Sequence, residues 1–345
     1  MKAIGKMTAL TIALAMAAAL LFGQQAVAAE KVYRLKFQHS YPPTLSFYNK
    51  TGANFIKRVE EWSNGRIKFQ VFEAGAVASV PGMLEAVHNG ILDVSQSWGG
   101  FYVGVVPEAD VETGLPMAWD EAYEVYDAYY NRGLRDVISH AYESRFNVKH
   151  FPAIISMKYA ISTSKPVNSL SDLKGLKLRA IGAYGEFARD LGASATVIPG
   201  AELFTALQLG TIDGLIYDAE AIVAQGLDKF LKTSIVSPNL NAGAGQWLIN
   251  RKVWDSLPKD LQQVIEDAVQ YGNMASAMSY RASAEVSLGT MRGNGVNLLT
   301  LPKEQVAEAR EIAQGLWDKI ASRSADSAKG VAIVKQQMRD YGRMK

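Results

Sequence analysis

The chain has 345 residues, of which 20% are charged and 48% hydrophobic, enough for one large or two medium globular domains. It contains no cysteine, which excludes a disulfide framework, a thiolate nucleophile and a cysteine metal site. The formal charge of +2 becomes neutral once an N-terminal signal carrying Lys2 and Lys6 is removed, and a neutral chain without a basic block is not built for nucleic acid.

That signal occupies residues 1–28. Lys2 and Lys6 form a positive start, residues 7–22 are apolar and alanine-rich, and Ala26-Val27-Ala28 is a small-x-small cleavage site. The apolar run is shorter than the roughly 20 residues a membrane span needs. Export with cleavage after Ala28 is the expectation, and a membrane anchor is the alternative.

Residues 32–40 alternate and read as the first strand, ending in a polar and aromatic loop from Gln38 to Pro43. Ser46 is placed to cap the helix that follows, with Tyr48, Phe55, Val59 and Trp62 on one face as core residues. Asn64 and Gly65 end it. Residues 66–72 form the second strand. A helix follows from Pro81 to Asn89, capped by Gly90, and residues 93–98 form the third strand. Gly99 and Gly100 beyond it either let the backbone approach a ligand or belong to a plain loop.

Residues 120–145 read as a long, tyrosine-rich helical region. Residues 147–156 and 158–164 are strands whose close succession suggests a crossover between two lobes. Residues 172–218 then hold strands at 176–179, 195–198 and 211–217 with helices between, a βαβαβ pattern that builds parallel sheet. Residues 246–250 form another strand, residues 258–291 one long helix, and residues 302–322 and 328–341 the C-terminal helices.

One internal echo bears on architecture. Ala86-Val87-His88-Asn89-Gly90-Ile91-Leu92-Asp93 matches Ala206-Leu207-Gln208-Leu209-Gly210-Thr211-Ile212-Asp213. Each copy is a helix end, a glycine cap and a strand opening with Asp. Two lobes of similar α/β build, facing across a cleft, explain the repeat most simply.

No hydrolase elbow, phosphate loop or zinc-protease motif is present, and the four histidines lack metal-ligand spacing. His88 reads as structural, and His39, at a strand end, is a candidate for the cleft. Asp213, Asp218 and Glu220 could offer oxygens to a hard cation, although Asp218 and Glu220 equally suit a helix N-terminus. Arg179 ends a strand beside Gly182 and Tyr184. In open parallel sheets ligands bind off the carboxyl ends of the strands, and a guanidinium there matches a carboxylate. On pattern alone the reading divides between a ligand clamp and a salt-bridge partner.

The run Leu173-Lys174-Gly175-Leu176-Lys177-Leu178-Arg179, then Leu191-Gly192-Ala193-Ser194, then the second copy of the echo continuing into Gly214, resembles the DctP-type extracytoplasmic solute-binding proteins of tripartite ATP-independent periplasmic (TRAP) transporters. The likeness extends from about Val32 to the C-terminal helices. It implies a bilobal periplasmic-binding-protein fold, two α/β lobes with mixed sheets joined by a hinge and by a long helix spanning both. Residues 29–156 with 243–280 would form lobe I, and residues 157–242 with 281–345 lobe II. It further implies ligand capture without catalysis or cofactor, a monomer, and delivery to membrane permease subunits driven by an ion gradient. Arg179 would hold the ligand's carboxylate.

The chain also departs from members of known ligand. Tyr159 stands where sialic-acid binders carry a second arginine, and Tyr217 where they carry asparagine. Leu215 and Ile216 replace the Glu-Trp pair of members that bind 2-oxo acids through a metal. Neither ligand is therefore expected. Trp98, Tyr159, Tyr184, Tyr217 and Trp247 are expected at or near the cleft, with two of the five packing the cores, and Ser40, His39 and Asp218 join them as candidates. Aromatic walls with few polar anchors suit a monocarboxylate with a hydrophobic or aromatic body. Two other classes remain open: a sensory subunit that presents its ligand to a membrane receptor, and a secreted hydrolase, which lacks a nucleophile–base pair.

Overall fold

Among the described residues, eleven short strands and their connecting helices gather into two mixed sheets. The computed structural model describes residues 30–41, 45, 48–154, 157–240 and 243–344. The signal sequence, Pro42 and Pro43 and the expected Ser46 cap lie outside these residues. Arg34–Lys345 form one compact unit.

The strands are β1 Tyr33–His39, β2 Ile67–Phe72, β3 Val94–Ser97, β4 Val148–Ile154, β5 Tyr159–Thr163, β6 Lys177–Arg179, β7 Ser194–Thr196, β8 Gly214–Asp218, β9 Thr233–Ser237, β10 Ala244–Asn250 and β11 Asn297–Thr300. The first sheet has the order β2-β1-β3-β10-β4, with β1 parallel to β3 and β10 antiparallel to both β3 and β4. The second has the order β11-β9-β5-β8-β6-β7, with β8, β6 and β7 mutually parallel and β5 antiparallel to β8 and β9. The chain passes from the first sheet to the second after β4, returns after β9, and reaches the second again through β11.

The long helix Lys259–Gly293 makes that last passage, packing on β4 and helix Asn54–Trp62 at one end and on helix Ala219–Ala224 and β11 at the other. Asn273 fixes it beside the first crossover: its Oδ1 accepts from the Ile154 amide at 2.9 Å and its Nδ2 donates to the Pro152 carbonyl at 3.0 Å. The C-terminal helices touch both halves. Lys303–Ala321 packs on helix Ala183–Asp190, and Ala325–Asp340 packs on helix Leu134–Glu143. Trp317 Nε1 donates to the Pro116 carbonyl at 3.1 Å, and Trp119 Nε1 donates to Gln337 Oε1 at 2.8 Å.

The echo is the same device in each sheet. The Ile91 amide donates to the Ala86 carbonyl at 2.9 Å and the Thr211 amide to the Ala206 carbonyl at 3.0 Å, each closing a Schellman turn with glycine at positive φ. Leu92 and Ile212 then enter the cores. Asp93 accepts from the Lys36 amide at 2.7 Å and Asp213 from the Lys177 amide at 2.9 Å, so each Asp locks the neighbouring parallel strand in register.

Several expectations need correction. Trp62 is 43% exposed, its ring edge-on to Tyr271, because it faces outward at the helix end. The helical region 120–145 is interrupted at Gly133, whose φ of 85° breaks it before Leu134–Glu143. Strands β9 and β11 were not anticipated; serine-rich β9 and four-residue edge strand β11 carry little hydrophobic pattern.

Asp93→Ala and Asp213→Ala each remove a strand-locking acceptor worth about 1 kcal/mol. Each is expected to lower the thermal midpoint by roughly 2 °C, with near-additive effects in the double variant. Calorimetric scans check this; unchanged midpoints in both variants would refute the locking role.

Candidate functional site

A cavity opens where the carboxyl ends of β1, β3, β6 and β8 approach one another. It offers about 50 Å³ to the centres of water-sized molecules. A single buried water needs roughly 10–15 Å³ on this measure, so there is room for a few water molecules. One wall carries Ser40, Trp98 and Phe101 from the first sheet's strand ends. The other carries Tyr159, Arg179, Ile181, Tyr217 and Asp218 from the second, and Tyr280 of the long helix, Met157 of the crossover, Tyr41, Leu45, Gly200, Glu220 and Ala221 also line it.

Arg179 ends β6, held between β7 and β8, and its side chain is only 4% exposed. Its Nε donates to the Ile198 carbonyl at 2.9 Å, and its guanidinium carbon lies 4.7 Å from the centre of the Tyr217 ring. Among the described residues no carboxylate pairs with it and no acceptor meets its two terminal nitrogens. Burial therefore lowers its pKa, against the weaker opposing influence of Tyr217, Tyr159 and Tyr41.

Tyr217 accepts from Gln225 Nε2 at 3.2 Å, which fixes the ring beside the guanidinium. Tyr159 lies edge-on to Tyr184 at 5.0 Å and tilted to Trp98 at 6.3 Å. Burial raises the pKa of both Tyr159 and Tyr217, keeping the phenols neutral. Asp218 Oδ2 caps helix Ala219–Ala224 by accepting from the Ala221 amide at 2.9 Å. Burial, then Glu220, raises the Asp218 pKa to about 7.

Of the residues expected at the cleft, Arg179, Tyr217, Tyr159, Trp98, Ser40 and Asp218 line the cavity. Trp247 does not: it stacks on Phe37 at 5.7 Å and packs on Phe55 within the first core. Tyr184 stands behind Tyr159, its hydroxyl donating to the Leu240 carbonyl at 3.4 Å. His39 is fully buried, with Nδ1 3.1 Å from Gln96 Oε1. It ends β1 one residue before Ser40, and strand alternation turns it into the core.

Gly99 and Gly100 serve packing rather than ligand approach: a Cβ would fall 2.3 Å from Glu112 Oε2 at the first and 2.7 Å from Ile181 Cγ2 at the second. Asp213 leaves the acidic group, pairing with Lys165 at 2.7 Å. Among the described residues no cluster of three or more His, Asp or Glu is arranged to hold a metal ion. Sequence reasoning missed Tyr280, Met157, Phe101 and Ile181. Tyr280 lies on the long helix, away from any strand end, and the other three sit in short connections without periodicity.

The sequence model of the family described as DctP, bacterial extracellular solute-binding protein, family 7, matches residues 37–324. The chain belongs to that family. It is an extracytoplasmic solute-binding protein of the TRAP type. It is 30% identical, over 85% of its length and 80% of the relative's, to a monocarboxylate 2-oxoacid-binding periplasmic protein of Nostoc sp. strain PCC 7120. A TRAP solute-binding protein of Pseudoalteromonas atlantica T6c with bound sodium and pyruvate superposes with a TM-score of 0.83 at 26% identity, covering 90% of this chain and 95% of the other. One from Colwellia psychrerythraea with calcium and pyruvate gives 0.82 at 25%, covering 90% and 96%.

The bilobal fold follows from these matches, and no helix among the described residues is long and apolar enough to cross a membrane. Leu215 and Ile216 are buried in β8.

Two predictions follow from the buried charges. Arg179→Met fills the same space without an unpaired charge, so the ligand-free variant should be as stable as the parent or more stable by about 1–2 kcal/mol. A large loss in denaturant titration would instead make Arg179 a structural residue. His39 carries a pKa lowered from 6.5 to about 3 by burial. Only the unfolded chain binds its proton between those values, so stability falls as pH drops through that window, by about 1.4 kcal/mol per unit from this group. His39→Gln should flatten the fall in thermal midpoint between pH 6.5 and 4.

Proposed function

We propose that the protein captures a small organic acid in the periplasm, with Arg179 holding the carboxylate between the two lobes, and delivers it to a TRAP permease for uptake driven by an ion gradient. The observation that carries this reading is the buried guanidinium whose terminal nitrogens meet no acceptor among the described residues. A carboxylate entering the cavity would receive two parallel charge-assisted hydrogen bonds. The rings of Trp98, Tyr159 and Tyr217 would enclose the remainder, which favours a hydrophobic or aromatic body of small size.

Lobe I is proposed to comprise residues 29–156 and 243–280 and lobe II residues 157–242 and 281–345, with the C-terminal helices lying against both. Closure of the lobes excludes water and strengthens the ion pair. The protein is taken to work as a monomer without cofactor or catalysis, after signal cleavage near Ala28.

The second reading is a 2-oxo monocarboxylate, favoured by the Nostoc relative and by the pyruvate found in the two solved structures. A sensory role at a membrane receptor would use the same cavity.

The test is a thermal-shift and calorimetric screen of the mature protein against compact aromatic, aliphatic and 2-oxo acids, with and without calcium. A ligand at 100 times its Kd adds about 2.7 kcal/mol and should raise the midpoint by several degrees. Arg179→Ala should weaken binding by about 2–5 kcal/mol. An undiminished shift in that variant defeats the carboxylate clamp, and preference for a polyhydroxylated sugar acid defeats the apolar body.

A further inference from the structure

The cavity holds a second buried polar group that a simple carboxylate leaves unanswered. Asp218 is 2% exposed and lines the same cavity as Arg179. Its Oδ2 is used by the helix cap, and its Oδ1 is buried with no hydrogen-bond partner. Among the described residues no ion pair joins the two groups, and Arg179 donates instead to the Ile198 carbonyl. The register explains the separation. Arg179 is paired with Leu215 on β8, and Asp218 lies three residues further along that strand, roughly 10 Å of backbone. Tyr217, Tyr159 and Tyr280 line the same cavity.

A plain monocarboxylate would satisfy Arg179 and leave Asp218 Oδ1 buried and unpaired, which is unfavourable. We infer that the ligand is an amino acid in the broad sense: its carboxylate is bound by Arg179, and its ammonium group is received by Asp218 at the other end of the cavity. This rests on the Arg179 reading and adds the ligand's second charge. The groups about Asp218 are Glu220, two residues further along the chain, the backbone of Lys158, Tyr159 paired with it on β5, Tyr217 beside it and, in the same cavity lining, Arg179.

Protonation gives a readout that a purely structural cap would not move. In the free protein Asp218 titrates at about 7. Below that pH an ammonium group must displace its proton, so affinity for the amino acid falls as pH drops and binding releases protons. A carboxylate without an amine favours the protonated form and releases none.

The experiment is titration calorimetry of the mature protein with ω-amino acids of three to six carbons and with the matching alkanoates, at pH 6 and 8, in two buffers of different ionisation enthalpy. At least one amino acid should bind about 100-fold more tightly than its alkanoate, with proton release at pH 6. Asp218→Asn keeps a capping oxygen and should abolish that preference and the proton release; Asp218→Ser should do the same. The proposal is overturned if no amino acid in the series exceeds its alkanoate, if Asp218→Asn preserves the preference, or if binding requires added calcium or sodium. Equal binding of amino acid and alkanoate with loss of both in Arg179→Ala leaves the clamp standing and removes only the second charge. Undiminished binding in Arg179→Ala removes the clamp itself.

Discussion

A guanidinium taken out of water without an anion is the constraint around which this structure is arranged. Burial disfavours the charged form of Arg179, yet among the described residues it meets one carbonyl oxygen and the face of one tyrosine. Both contacts orient the fork rather than neutralise it. The surrounding parts keep it in place: β7 and β8 hold its strand on either side, and Gln225 pins the Tyr217 ring. A site that keeps an uncompensated charge is less stable than an apolar one would be, as sites built for a ligand often are.

The rest of the fold brings two halves of similar build to that charge. Each half carries the same turn, a glycine-capped helix leading to a buried aliphatic residue and an Asp that holds the next strand. Because the device fixes which parallel strands are neighbours, it also fixes where their carboxyl ends emerge. The chain crosses between the sheets more than once, and the long helix and the C-terminal pair lie against both. Those crossings tie movement of one half to a few connecting segments, as hinge closure requires.

The site was partly legible in the sequence. Arg179 was found because a strand end, a following glycine and a guanidinium have a simple chemical reading. Tyr217, Tyr159 and Trp98 were expected there from the family resemblance, and they line the cavity with Ser40 and Asp218. His39 and Trp247 were misplaced for a physical reason: neighbouring residues on a strand point to opposite faces, so a candidate one position off belongs to the core. His39 lies behind Ser40 against Phe37, and Trp247 completes an aromatic cluster with Phe37 and Phe55. Tyr280 could not be anticipated, because apolar spacing on a long helix looks the same whether the face meets a sheet or a cavity.

By itself the sequence determined the α/β class, the repeated turn, the family and the arginine, since periodicity, glycine caps and motif spacing are local properties of the chain. Only the tertiary structure decided which aromatic rings face the cavity, that Arg179 meets no carboxylate among the described residues, and that Asp218 Oδ1 is buried without a hydrogen-bond partner. These depend on which groups residues distant in sequence bring within hydrogen-bond reach, and local pattern does not specify that.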